Sequence, residues 1–154
     1  FLIHNVDIIS DLDIRWMASQ TRRDAMATLL VSDRVTSRYL LFDPDTMRLK
    51  GWTNVVTGEV RSPYPELDVT QCRRLAFSGI HIMSDTVFAA LEDFVSRQGL
   101  DPEHPRFPIM DFYLSACALY EIYGVEADGL HLVDVGKLDT LEIAEKEISR
   151  VSQN

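Results

Sequence analysis

FLIHNVDIISDLD, residues 1–13, decides how the rest of the chain is read. Phe1, Leu2, Ile3 and Val6 favour burial, so residues 1–6 read as a short buried strand. That strand runs into three carboxylates, Asp7, Asp11 and Asp13. Asp11 or Asp13 suits the N-cap of a helix over about 14–23, with Ile14, Met17 and Ala18 on its inner face. ATLLV, residues 27–31, is a second apolar strand. A strand, a helix and a strand in about thirty residues make a βαβ crossover, which predicts a parallel sheet.

Downstream the texture changes. RYLLF (38–42), MRLKGW (47–52) and VRSPY (60–64) read as short antiparallel strands. The turns between them have their tips near Pro44-Asp45 and Thr57-Gly58. LAFSGIHIM (75–83) is a further strand. Ser84 then caps a helix whose Val87, Phe88, Leu91, Phe94 and Val95 form one stripe ending at Gly99. A helix over about 108–119 starts with Pro108 in its first turn. YEIYGVE (120–126) and LHLVDV (130–135) are strands, and Asp139 caps a last helix. The expected class is α/β: a Rossmann-like, mixed but mostly parallel sheet with an antiparallel hairpin excursion, in one domain over 1–154.

Composition narrows the function. The chain has 154 residues, 46% hydrophobic and 25% charged, the make-up of an ordinary globular protein. A formal charge of −9 argues against nucleic acid as a partner, since phosphate binding needs clustered Lys and Arg. No apolar run approaches a membrane span. Cys72 and Cys117 fit no metal or redox spacing and read as reduced thiols of a cytoplasmic protein.

Asp7 ends the first strand and Asp134 ends the strand LHLV, at the sheet edge where open α/β folds bind ligands. Two carboxylates brought together there repel unless a cation lies between them, and Mg²⁺ fits such a pair with substrate phosphates. Asp43-Pro44-Asp45 has the D-x-D spacing of metal-dependent glycosyltransferases, although Asp, Pro, Asp and Thr also make a hairpin turn. His4 and His81 read as packed or edge-facing side chains. Asp111 reads as a helix residue that orients its neighbours.

NVDIISDLD, SRYLLFD, GWTN, AFSGIHIMS, FPIMDFYL and DVGKLDTLEIAE follow one another in the order seen in sugar-1-phosphate nucleotidyltransferases. The chain resembles the mannose-1-phosphate guanylyltransferase and N-acetylmuramate-1-phosphate uridylyltransferase type over nearly its whole length. The resemblance implies a partial nucleotidyltransferase fold and Mg²⁺-dependent joining of a sugar 1-phosphate to a nucleoside triphosphate, with release of pyrophosphate. It implies Asp7 and Asp134 as catalytic metal ligands, and Asn5, Trp52, Asn54, Ser78 and Gly79 as substrate-binding residues. The family often carries a sugar-contacting Glu and a phosphate-contacting Lys where this chain has Gly51-Trp52-Thr53-Asn54. No two of its glycines are close enough for the family's G-x-G-x-R loop, which grips the triphosphate. The resemblance therefore implies an N-terminally truncated, inactive piece, in which strand 1–6 lacks its preceding sheet neighbour. A non-catalytic sugar-nucleotide-binding or regulatory module of the same fold is the alternative.

Overall fold

The computed structural model describes residues 1–134. In chain order its elements are β1 (Leu2–His4), β2 (Ile8–Ser10), α1 (Ile14–Gln20), β3 (Ala25–Ser32), β4 (Arg38–Phe42) and β5 (Leu49–Asn54). There follow β6 (Val60–Arg61), a single 3-10 turn (Val69–Gln71), β7 (Arg73–Met83), α2 (Thr86–Gln98), α3 (Ile109–Ala116), β8 (Glu121–Glu126) and β9 (Leu132–Asp134). The last helix expected after Asp139 lies outside the described residues.

The architecture is mixed α/β, but the sheet is mostly antiparallel. Its order is β6-β5-β4-β7-β3-β8, with β1 also paired to β7, and among the described residues only β3 and β8 pair in parallel. The expected parallel neighbours, β1 and β3, do point the same way, because both run antiparallel to β7. β7 lies between them. The expected crossover is right in direction and wrong in adjacency.

The apolar run of β3 explains the difference. Ala25 to Val31 are all buried, which requires cover on both faces but not parallel partners. Leu29 belongs to the main core with Phe42, Leu75, Phe94, Phe112 and Ile122, where α2 and α3 pack. Leu30, one residue on, faces a smaller cluster with Met17 of α1 and Ile80.

Strand 1–6 is also corrected. It stops at His4, turns at Val6 and Asp7, and resumes as β2 in a separate two-stranded sheet with β9. Asp7 thus sits in a turn, not at the end of a parallel strand. β1 pairs with β7 alone among the described residues, and Leu2 and Ile3 are about two-fifths exposed.

Helix boundaries follow their caps. Asp13 Oδ1 accepts from the N–H groups of Arg15 and Trp16, which starts α1. Of the expected inner face only Met17 is buried, because a seven-residue helix lying over one cluster presents little more than one turn to it. Asp85, not Ser84, takes the N-cap position of α2, and Gly99 ends that helix at φ +63°. Within the stripe Phe88 stays 55% exposed, edge-on to Phe1. Pro108 is the N-cap residue of α3, one position before the first turn.

The hairpin tips form where turn chemistry puts them. Asp43 Oδ1 accepts from the N–H groups of Asp45 and Thr46 and from the Thr46 hydroxyl. Gly58 turns the second hairpin at φ +75°.

Candidate functional site

Asp7 and Asp134 are separated by most of the chain, and the small sheet reunites them. β2 and β9 pair antiparallel with Ile8 opposite Asp134. Directly opposed Cα atoms in such a ladder lie about 4.5–5.5 Å apart. Asp7 precedes Ile8, so it is one residue from the cross-strand partner of Asp134. Both residues are exposed. The pairing adjoins the two backbones, and Mg²⁺, which takes one or two carboxylates, would need both side chains turned to one face.

Asn5 and Gly79 meet beside this pair. The Asn5 N–H donates to the Gly79 carbonyl at 3.0 Å. Gly79 has φ +76°, and a Cβ built on it would lie 2.7 Å from Asn5 Nδ2. The cause is a bulge in β7: Leu29 pairs with His81 and Val31 with Phe77, so β7 spends four steps where β3 spends two. Ser78, inside the bulge, is 3% exposed, and its hydroxyl has no hydrogen-bond partner among the described residues. The bulge also falls between the stretches of β7 that pair with β4 and with β1, where the sheet opens.

Trp52 stands apart from these residues. It is half-buried in a cleft of about 560 Å³ whose wall also includes Arg34, Arg38, Tyr39, Phe77 and Asp111. Arg61 Nη2 meets Asp111 Oδ1 at 2.6 Å, and its guanidinium lies over the Trp52 ring at 5.9 Å. Beyond that ion pair is a second cleft of about 650 Å³, which shares Arg61, Pro108 and Asp111 with the first. Asn54 serves a turn: its side-chain oxygen accepts from the N–H groups of Val56 and Thr57.

Of the two histidines read as packed or edge-facing, His81 is buried and His4 lies exposed on β1. His81 is 3% exposed and shares a hydrogen bond with the Tyr113 hydroxyl, and burial pulls its pKa down to about 4. His4 Nδ1 lies 2.7 Å from the Asn5 carbonyl oxygen. Asp43 is committed to its turn, where the hydrogen bonds from Thr46 hold its carboxyl below the usual range. Cys72 and Cys117 are free thiols, and burial raises Cys117 to about 11, far from thiolate reactivity at neutral pH.

The sequence reading passed over Arg34, Arg38, Tyr39 and Arg61. They are scattered singly along the chain, so no basic run marks them, and only the fold of 34–61 against α3 collects them. Asp111 was expected to orient neighbours from a helix, and it pairs with Arg61 from the first turn of α3.

No protein-family model matches the sequence, and no curated protein matches it. Among the described residues, no helix is long and apolar enough to cross a membrane.

Proposed function

We propose that this chain is part of a sugar-1-phosphate nucleotidyltransferase that acts in the cytoplasm. The observation that carries the reading is the pairing of Ile8 with Asp134, which sets Asp7 and Asp134 at adjoining positions. The frame of β1, β3 and β8 running one way with β7 running against them is taken as part of a Rossmann-like nucleotidyltransferase fold.

In the proposed reaction an oxygen of the sugar 1-phosphate forms a bond to the α-phosphorus of a nucleoside triphosphate. The α–β phosphoanhydride bond breaks and pyrophosphate leaves. Asp7 and Asp134 would hold Mg²⁺, which neutralises phosphate charge as the transfer proceeds. The polypeptide's part is alignment. The lack of a Cβ on Gly79 lets the Asn5 side chain pack against the main chain of the bulge and hold it, and the Asn5 amide would be the group that meets the substrate there. Trp52 offers an aromatic face to a pyranose ring.

Pyrophosphate release by the full-length protein tests this, with each common nucleoside triphosphate, a panel of sugar 1-phosphates, and Mg²⁺ present or absent. Turnover that requires Mg²⁺ and both acids supports the transferase. Sugar-nucleotide binding without turnover supports the non-catalytic module, which the missing Gly-rich loop within residues 1–154 favours. Residues 1–154 alone should release no pyrophosphate, because they contain no such loop.

A further inference from the structure

β6 is the edge of the main sheet and pairs with β5 alone among the described residues. The Asn54 N–H donates to the Glu59 carbonyl at 2.9 Å, and two positions further Trp52 lies opposite Arg61. Hydrogen-bonded pairs alternate along an antiparallel ladder, so Arg61 turns its N–H and C=O to β5. Val60 therefore turns both of its main-chain groups outward, and Ser62, just past the strand, turns its N–H outward. None of the three has a backbone partner among the described residues. Unpaired main-chain groups at a sheet edge are a template for one more strand.

Beside that edge runs the groove of about 650 Å³, walled by residues 60–63 on one side and by α2 and α3 on the other. Its floor is apolar: Phe94 and Leu114 are buried, and Phe107 packs edge-on against Phe94 with ring centroids 4.9 Å apart. The Arg61 side chain faces α3, where it meets Asp111. Opposed residues of neighbouring strands share a face, so the residue of an added strand opposite Arg61 would project over this floor.

Charge and direction narrow the occupant. Asp111, the one acid lining the groove, is held by Arg61, whereas Arg106 lines it with no ion pair among the described residues. Arg61 meets Asp111 in the first turn of α3, and the Tyr64 hydroxyl donates to the Cys117 carbonyl at its end. Residues 61–64 thus run alongside α3 in the same sense. Arg106 precedes α3 and lies towards the Val60 end, which an antiparallel strand reaches after the residue opposite Arg61.

We propose that this groove takes an extended peptide segment of a partner protein, added antiparallel to β6. A large apolar side chain opposite Arg61 fills the floor, and an acidic side chain two residues later meets Arg106. Main-chain bonds to Val60 and Ser62 supply affinity, and the two alternate side chains supply specificity. No metal, nucleotide, sugar, Asp7 or Asp134 takes part, so the surface stands or falls separately from the transferase reading.

The probe is fluorescein-labelled TTFTET, titrated with this chain and read by fluorescence anisotropy. Saturable binding is expected. Replacing the Phe of the peptide by Ala, or methylating the N–H of the Thr that follows it, should weaken binding about tenfold. The first change empties the floor and the second removes the bond to the Val60 carbonyl. Arg106→Glu should weaken TTFTET severalfold and turn the preference to TTFTKT, in which Lys replaces Glu. Arg106 is exposed, so unchanged far-UV circular dichroism is expected of that variant. Absence of saturable TTFTET binding, equal binding of the Ala or methylated peptide, or an unchanged preference in Arg106→Glu would each overturn the proposal. So would a concentration-dependent dimer in sedimentation velocity that Val60→Lys dissociates, since the edge would then belong to a second copy of the chain.

Discussion

The side chain of Asn5 fills the space that a Cβ on Gly79 would occupy, with Nδ2 2.7 Å from that position. Gly79 also sits at φ +76°, where an L side chain meets the following carbonyl. Gly79→Ala therefore has two separable costs. We expect a loss of about 1–2 kcal/mol from the backbone conformation, plus a steric share from Asn5. Urea unfolding of Gly79→Ala, Asn5→Ala and the double variant should return only the steric share in the double. Full recovery in the double variant would show that the backbone at Gly79 is unstrained.

Paired carboxylates predict opposite signs with and without metal. Without Mg²⁺, Asp7→Asn should leave thermal stability unchanged or raise it, because a carboxylate is gone from the neighbourhood of Asp134; Asp134→Asn is read only by the change that Mg²⁺ makes. With Mg²⁺ at tenfold over its dissociation constant, the unmodified chain should gain roughly 1.4 kcal/mol, and neither variant should gain as much. Equal Mg²⁺ stabilisation in all three proteins would remove these acids as ligands. Under the proposed transferase reading, either substitution should cut kcat severely in a protein that carries the Gly-rich loop.

His81 makes stability depend on pH. Its folded pKa of about 4 lies below the 6.5 of an unperturbed imidazole, so below pH 6.5 the unfolded chain binds the extra proton first. Its share of stability is intact above about pH 6.5 and falls by about 1.4 kcal/mol per unit as the pH drops towards 4. Replacing the pair by His81→Phe with Tyr113→Phe should flatten that part of the curve. Chemical denaturation between pH 7 and pH 4.5 measures it, and an equal slope in both proteins would contradict the assignment.

Gly124 of β8 lies against Phe42. A Cβ there would be 2.8 Å from Cε1 of the ring, inside a core where Phe42 is fully buried. Gly124→Ala should cost about 1–3 kcal/mol through overpacking, and Phe42→Leu introduced alongside should recover part of it. Unfolding midpoints of the single and double variants decide this. A Gly124→Ala variant as stable as the parent would mean that the ring moves freely.

Much of the fold was written locally. Asp43-Pro44-Asp45-Thr46 closes its hairpin and Asp13 caps α1 because the deciding hydrogen bonds join residues two or three positions apart. Gly99 ends α2 because only its own dihedral had to turn left-handed. The apolar run 27–31 marked a strand, and the structure extends it to Ala25–Ser32 and buries it on both faces. The choice of strand neighbours was not legible. A strand exposes the same backbone donors and acceptors to any partner, so nothing in residues 1–6 or 25–31 states that β7 enters between them. That choice depends on which faces α1, α2 and α3 cover once the chain is packed. The site divides in the same way. Asp7 was read as a strand end and lies in a turn, and only the β2–β9 ladder puts its backbone one position from the partner of Asp134. The contact of Asn5 with Gly79 and the gathering of Arg34, Arg38 and Arg61 were decided only by tertiary structure, because each joins residues whose spacing follows no helix or strand period.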